Sequence, residues 1–131
     1  MNIGQAANAS GVPAKTIRYY ESIGLLRPAP RSGGGYRVYD ETDLSVLRFI
    51  QRARSMGFAV KDVSNLLKLW SDRERSSADV KAVAMRHIEE IDRKMAEMKS
   101  IRSTLVHLTH RCHGDDRPDC PIIDDLARNG S

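Results

Sequence analysis

No hydrophobic run in this 131-residue sequence is long enough to cross a membrane, and no signal peptide, lipidation motif, internal repeat or low-complexity tract is present. We therefore expect a cytosolic protein without a membrane partner, built as one small domain or as a head with a helical appendage. The sequence also lacks a nucleophile–base set and a phosphate-binding glycine loop, so it does not indicate an enzyme.

Cysteine is scarce, since the chain holds only two, Cys112 and Cys120. The cytosol keeps thiols reduced, so a structural disulfide is not expected in such a protein. Metal binding or redox chemistry is the better interpretation of the pair.

Glycine and proline are missing from residues 78–111. Apolar residues recur there every three or four positions, at Ala84, Ile88, Ile91, Met95, Met98, Ile101, Leu105 and Leu108. This spacing is typical of a coiled-coil seam, with one irregularity at Met98 and Ile101. At about 1.5 Å per residue the helix would be roughly 50 Å long, more than the rest of the chain can cover. We therefore predict a dimerisation helix; a long core helix of a monomer is the alternative.

Positive charge is confined to one part of the chain. Residues 1–39 carry five basic side chains against Glu21 alone, which accounts for the whole net charge of +4. A basic face of this kind suits a polyanion such as nucleic acid. A solvated basic surface is the alternative interpretation.

Residues 3–24 have the pattern of a helix-turn-helix. A short helix over residues 3–9 is capped by Asn2, Gly11 takes the left-handed position after it, and Pro13 lies in the first turn of a second helix. In this motif the second helix lies in the major groove. Its first turns carry polar and basic groups, namely Lys15, Thr16, Arg18, Tyr19 and Tyr20. Ile17 and Ile23 are expected to pack on the first helix.

Residues 25–39 predict a small β-hairpin, which would form a wing beside the helix-turn-helix. Three glycines at 33–35 form its tip, and residues 36–39 alternate like a strand. In this hairpin Arg31, Tyr36 and Arg37 would be placed to contact phosphates. The alternative interpretation of the three glycines is a flexible linker.

Asp40 caps a third helix that ends at Gly57 and carries Arg54 on its outer face. A fourth helix follows over residues 60–70.

The segment after Arg111 holds both cysteines. Gly114 and Pro118 interrupt any helix there, and Pro121 begins a short one that Gly130 closes. Two thiolates cannot fill a tetrahedral structural zinc site, but they can fill a two-coordinate site for a soft monovalent ion such as Cu(I). Cys120 would lie at the helix N-terminus, where a thiolate is favoured.

These residues together resemble the MerR family of winged-helix transcription regulators. The head pattern consists of Thr16-Ile17-Arg18-Tyr19-Tyr20-Glu21, Gly24-Leu25-Leu26 and Gly35-Tyr36-Arg37-Val38-Tyr39. The later part is similar to the copper-efflux branch, of the CueR and HmrR type, through residues 76–81 and the run from Cys112 to Ile123. The resemblance covers the chain to about Arg128.

The resemblance implies a mainly α-helical fold in four parts. They are a winged helix-turn-helix head with a β-hairpin wing (1–70), a joint (71–77), a dimerisation helix that forms an antiparallel coiled coil (78–111), and a metal-binding loop with a short helix (112–131). It implies a homodimer that binds a promoter whose two polymerase boxes lie too far apart. Metal binding would then underwind the DNA, so that RNA polymerase transcribes efflux or detoxification genes.

The implied effector is Cu(I), or Ag(I) or Au(I), bound by Cys112 and Cys120. By analogy with the branch, Lys81 supplies a cation, and Ser77 stands where divalent-sensing relatives carry a cysteine that reaches the partner's metal loop. His113 and Arg117 are not fixed parts of the branch pattern. Promoter contacts are expected from Lys15, Thr16, Arg18, Tyr19, Tyr20, Arg31, Tyr36, Arg37 and Arg54.

Three alternatives remain open at this point. One is a zinc or other divalent-metal sensor, with a Cys₂His₂ site that adds His113 and either His107 or His110. Another is a thiol redox switch in which Cys112 and Cys120 form a disulfide. The third is an architectural DNA-binding protein in which both cysteines are incidental.

Overall fold

The structure, a computed structural model, describes residues 1–129, and they form six helices. These are α1 (Ile3–Ser10), α2 (Ala14–Ser22), α3 (Glu41–Ser55), α4 (Val60–Ser71), α5 (Ser77–Arg111) and α6 (Pro121–Asn129). Over the same residues the β structure is limited to one isolated antiparallel bridge, between Arg31 and Arg37. The predicted fold class, mainly helical with a long helix after the head, is confirmed. The prediction for Gly130 lies outside the described residues.

Local capping explains where α1 and α2 begin and end. The Asn2 side chain accepts the N–H of Gln5 at 2.8 Å, while the Gln5 side chain accepts the N–H of Asn2 at 2.9 Å. Gly11 ends α1 with a φ of 76°, a conformation that favours glycine. The first helix is thereby confirmed. Pro13 stands at the N-cap of α2 rather than inside its first turn, because its ψ of 147° is extended.

The start of α3 is held by a network of two carboxylates and one arginine. The Asp40 side chain accepts the N–H of Asp43 at 2.8 Å, and the Asp43 side chain accepts the N–H of Asp40 at 3.0 Å. The N–H of Asp43, together with the charge of Arg27, holds the pKa of Asp40 below its ordinary value. Arg27 also donates from two nitrogens to the buried Asp43 carboxylate, each at 2.8 Å. This network fixes the chain before the wing to the first turn of α3.

The first compact unit extends from Met1 to Ala84 and holds a continuous core. In this unit α1 packs against α2 and α3, and α3 packs against α4. The buried residues of this core cluster are Ala6, Val12, Ile17, Tyr20, Leu25, Leu26, Tyr39, Leu47, Ile50, Ala53, Phe58, Val63 and Val83. Because Val83 belongs to this core, the first turns of α5 are part of the head unit.

Two predicted packing residues of α2 differ in their burial. Ile17 is buried as predicted, whereas Ile23 is 41% exposed. Ile23 follows the last residue of α2 and precedes the left-handed turn at Gly24. On α4, the partly exposed ring of Trp70 stacks on Phe49 of α3 with centroids 4.6 Å apart.

The second compact unit begins at Met85 and contains most of α5 together with α6. Of residues 85–128, only His87 and Leu108 are buried. The predicted seam is otherwise exposed at Ile88, Ile91, Met95, Met98, Ile101 and Leu105. Leu108 departs from the prediction, because it lines a cavity with Pro121 of α6 and is buried within its own chain. The four-part domain division stays a prediction.

None of the helices within residues 1–129 has both the length and the apolar composition that a membrane span requires.

Candidate DNA-binding head and metal centre

Helix α2 presents a polar surface made of side chains from its first turns. Lys15, Arg18 and Tyr19 are exposed, and Thr16 is half-buried. Lys15 and Arg18 are three residues apart, so they lie on the same face of the helix. Such a face can reach phosphates and base edges when the helix lies in a major groove.

Tyr20 lies on the other side of α2, and its side chain is only 6% exposed. Its ring centroid is 5.9 Å from that of Tyr19, which is half exposed. Of the two tyrosines, Tyr19 is therefore the one that reaches the surface. A DNA contact from Tyr20 stays a prediction, made by a residue that belongs to the core of the head.

The predicted wing is a minimal hairpin closed by a few backbone hydrogen bonds. The N–H of Ser32 donates to the carbonyl of Tyr36 at 2.7 Å, and the N–H of Val38 donates to the carbonyl of Pro30 at 2.8 Å. Gly35 turns the chain with a φ of 83°. At the tip, Tyr36 is 75% exposed, which leaves its ring available to a partner.

Arg31 and Arg37 lie on the two arms of the wing and form its single β-bridge. A guanidinium nitrogen of Arg31 donates to the carbonyl of Gly35 at 2.9 Å, which pins the turn. A cleft of about 310 Å³ separates the wing from α2, and the three arginines that line it are Arg18, Arg31 and Arg37. The structure therefore gathers three of the predicted DNA-binding residues around one cleft.

One carboxylate, that of Glu21, also lines this cleft. Its Oε2 accepts from Nε of Arg37 at 3.2 Å, and its Oε1 accepts from the hydroxyl of the buried Tyr39. Burial raises the pKa of Tyr39, and the hydrogen bond to Glu21 raises it further. From the sequence, Glu21 was named as a negative charge and as part of the head pattern, without a role. Its isolation among the basic residues was the available signal.

Arg54 lies outside this cleft group. It is exposed on the last turn of α3, and its guanidinium donates to the carbonyl of Phe58 at 2.8 Å. This bond supports the turn between α3 and α4. The contact between Arg54 and DNA stays a prediction.

The two cysteines are brought together by the loop between α5 and α6. Cys112 directly follows the last residue of α5, Cys120 directly precedes α6, and their Sγ atoms are 3.7 Å apart. Both thiols are free and half-buried. The loop is shaped in part by Arg117, whose Nε donates to Asp115 at 2.9 Å.

The position of Cys120 before α6 favours its thiolate. The N–H of Ile123 lowers the pKa of Cys120 most, and the N–H of Ile122 and the Cys112 thiol lower it further. These N–H groups belong to the first turn of the helix, where backbone donors have no partner within the helix. The sequence-based argument that the helix N-terminus stabilises this thiolate is therefore supported by named contacts.

No third donor joins the sulfur pair in the described part of the chain. Residues 1–129 contain no cluster of three or more His, Cys, Asp or Glu side chains that could hold a metal ion. The candidate histidines His107, His110 and His113 are all exposed. A Cys₂His₂ zinc site is thus not formed within these residues, whereas the two sulfurs suit a soft ion that accepts two ligands.

Ser77 and Lys81 lie on the first turns of α5, four residues apart on one face. Both are exposed and line an open cavity with Arg73, Arg75 and Val80. Their predicted roles beside the metal stay predictions.

Known proteins resemble the chain over nearly its whole length. Family models match residues 1–70, as MerR HTH family regulatory protein, and residues 44–108, as MerR, DNA binding. The heavy metal-dependent transcription regulator 2 of Rhizobium meliloti (strain 1021) is 56% identical over 131 residues, which are 100% of this chain and 88% of that protein. CueR of Salmonella typhimurium is 42% identical over 127 residues, covering 97% and 92% of the two chains.

A solved structure gives the same result for the fold. The transcription regulator PbrR691 from Ralstonia metallidurans CH34, in complex with lead(II), matches with a TM-score of 0.82 and 32% identity. The match covers 96% of this chain and 98% of that one. This chain therefore belongs to the MerR family of helix-turn-helix transcription regulators, and the resemblance read from its motifs is confirmed.

Proposed function

We propose that this protein is a metal-responsive regulator that binds a promoter as a homodimer and activates transcription when a monovalent soft ion binds Cys112 and Cys120. The ion is Cu(I), or its congeners Ag(I) or Au(I), and it acts as an effector. The observation that carries the proposal is the sulfur pair, 3.7 Å apart at the N-terminus of α6. The metal-dependent relative and the CueR relative support it.

The chemistry of this pair favours a monovalent ion over a divalent one. Two thiolates and one +1 ion leave a single negative charge, which the N–H groups at the start of α6 can offset. A divalent ion needs more donors, and the described residues offer no third side-chain ligand within this chain. The half-buried position of both cysteines makes an under-coordinated dication costly.

The head supplies the promoter contacts in this proposal. Helix α2 enters a major groove with Lys15 and Arg18, and the wing reaches phosphates with Arg37. Two copies pair through the exposed seam of α5 as an antiparallel coiled coil. The metal-bound dimer distorts the DNA so that RNA polymerase transcribes copper efflux or detoxification genes, and this work takes place in the cytoplasm.

A divalent-metal sensor is the second candidate, favoured by the relative whose structure contains lead(II). In this candidate the missing third ligand comes from the partner subunit. Ser77 stands at the position that the family resemblance assigns to such a ligand, and its protonated hydroxyl is a poor ligand for a soft ion. Ser77→Cys would add a thiolate there. We expect it to create or raise a response to Zn(II), Cd(II) or Hg(II).

Transcription in vitro, from a promoter that the wild-type protein binds, tests both candidates. Cys112→Ser keeps DNA binding and loses activation by Cu(I) and Ag(I), because one sulfur cannot close the loop on the ion. The matched control is His113→Ala, an exposed neighbour in the same loop, which keeps activation. Equal activation of Cys112→Ser and wild type would remove Cys112 from the mechanism. A wild-type response to buffered Zn(II) as strong as that to Cu(I) would overturn the monovalent assignment.

A further inference from the structure

The Glu21 side chain has an unusual place on the DNA-binding face. It lies three residues after Arg18 on α2, and it is the single acidic residue among residues 1–39. A carboxylate there lowers the positive potential that attracts DNA. Its side chain is only 10% exposed, so its charge needs partners.

The partners of Glu21 both belong to the returning arm of the wing. Nε of Arg37 donates to one carboxylate oxygen at 3.2 Å, and the Tyr39 hydroxyl donates to the other. Arg37 is sixteen residues away in sequence and Tyr39 is eighteen, so these bonds tie the wing to α2. Tyr39 is buried and holds its hydroxyl in the core, which leaves Arg37 as the partner that can also reach solvent.

The wing has little backbone pairing of its own. Its arms meet at one bridge, and its tip contains three consecutive glycines, which are conformationally permissive. The bond from α2 to Arg37 is therefore one of the few contacts that set the direction of the arm, beside the backbone pairing of Tyr39 with Met1. The bond uses Nε of Arg37, which leaves the two terminal nitrogens of the guanidinium as donors for a phosphate.

We propose that Glu21 is a positioning residue for DNA recognition, which holds Arg37 against α2 so that the wing and the recognition helix meet the DNA in fixed register. The inference rests on the proposed promoter binding by the head. The positioning role and the negative charge of Glu21 have opposite effects on DNA affinity. As a charge alone, Glu21 weakens binding to DNA, but as a positioning residue it strengthens binding to the correct sequence.

The experiment measures binding to two fluorescent duplexes over a series of salt concentrations. One is a duplex that the wild-type protein selects from a randomised library, and the other is a mixed-sequence duplex. Glu21→Ala weakens binding to the selected duplex roughly tenfold, the size of one lost charge-assisted hydrogen bond. Binding to the mixed-sequence duplex stays equal or tightens, because a negative charge has been removed and a released Arg37 still reaches phosphates where no fixed register is required. Glu41→Ala, which removes an exposed carboxylate from the same unit, leaves the affinity for the selected duplex unchanged.

Two further variants separate positioning from folding. In Glu21→Gln the single amide oxygen still accepts from Arg37, while the NH₂ group donates to the Tyr39 hydroxyl oxygen, so the variant restores affinity to within roughly threefold of wild type. The salt dependence of its binding becomes steeper by about one released counterion, because a negative charge has been removed. Tyr39→Phe removes the hydroxyl but leaves the Arg37 bond. It lowers the melting temperature and keeps affinity for the selected duplex.

A double-mutant cycle with Arg37→Ala tests the route of the effect. In that background, Glu21→Ala weakens binding to the selected duplex by less than about twofold, because the residue it positions is gone. Additive losses would overturn the inference, as would a Glu21→Ala protein that binds the selected duplex as tightly as wild type. A loss in Tyr39→Phe equal to that in Glu21→Ala would also overturn it. If the wild-type protein selects no duplex, the proposed promoter binding itself fails, and that result is distinct from the others.

Discussion

The two compact units of this chain differ in how many of their apolar side chains are buried within a single copy. Unit one, Met1–Ala84, buries thirteen apolar residues in a single core cluster. Unit two, from Met85 onward, buries only Leu108 among its apolar residues up to position 128, and its seam remains exposed. The comparison teaches that the head is complete within one copy. The long helix carries an apolar stripe that one copy does not cover, and exposed stripes of this kind mark association surfaces.

The change with the largest expected effect is Ile91→Asp, which places a charge in the middle of the exposed seam of α5. Burying an unpaired carboxylate against a second copy costs several kcal/mol, so the dimer should dissociate at micromolar concentration. Light scattering coupled to size exclusion measures the mass. The matched control is Ser100→Asp, which lies about 180° around the same helix from Ile91 and should leave the mass unchanged. A monomeric wild type would contradict the seam argument.

Asp43→Ala tests the head unit instead of the seam. It should lower the stability of the head without changing the association of two copies. The substitution removes a buried carboxylate that receives two bonds from Arg27 and one from the Asp40 N–H. We expect a loss of about 2 kcal/mol in the free energy of unfolding, because charge-assisted hydrogen bonds at a buried site are lost while Arg27 itself stays half exposed. Chemical denaturation measures it, and Glu41→Ala in the same turn serves as the control. A loss below about 0.5 kcal/mol would show that the network is not stabilising.

Arg18→Ala tests the function of the self-contained head. If Arg18 reads a base from α2, its loss costs about 1–3 kcal/mol of binding to a selected duplex and relaxes the choice at one base position. The comparison variant is Arg37→Ala, which should weaken binding to all sequences and flatten the salt dependence. Fluorescence anisotropy on both duplexes measures the two effects. Unchanged affinities in both variants would reject the winged-head assignment.

The smallest expected effect concerns acid stability of the head. The pKa of Asp40 lies below its ordinary value when the protein is folded, so ionised Asp40 contributes stability that is present above about pH 4. That contribution is lost as the pH falls through the lowered pKa. Asp40→Asn keeps a capping side chain but removes the titration, so it should flatten the fall in melting temperature between about pH 5 and pH 2. Parallel curves for both proteins would contradict the assignment to Asp40.

Features that depend on neighbouring residues could be predicted from the sequence. The caps at Asn2 and Asp40 and the turn at Gly11 are local signals, and the structure contains them as predicted. The break between α5 and α6 also follows from local residues. The long helix was expected from residue 78 and begins at Ser77.

The remaining features depend on packing between distant segments. Ile23 and Leu108 both fit the apolar spacing of their helices. Ile23 is nevertheless exposed beside the turn at Gly24, and Leu108 is buried within its own chain, where it lines a cavity with Pro121. The bond between Glu21 and Arg37 spans a hairpin whose direction the sequence does not specify. The approach of the two cysteines could be argued only from metal chemistry, whereas the bonds that favour the Cys120 thiolate come from the geometry of the α6 N-terminus.

Two methionines near the centre of the seam make an unpaired helix sensitive to oxidation. Met98, at the irregular step, and Met95, the seam residue before it, are 69% and 63% exposed in a single copy. Flexible thioethers tolerate imperfect packing at such a step, and peroxide converts them to polar sulfoxides when it can reach them. An unpaired copy is therefore the form most open to oxidative damage, and damage there makes pairing harder. A chain that pairs early would therefore escape this damage, whereas a chain that stays unpaired for longer would accumulate it.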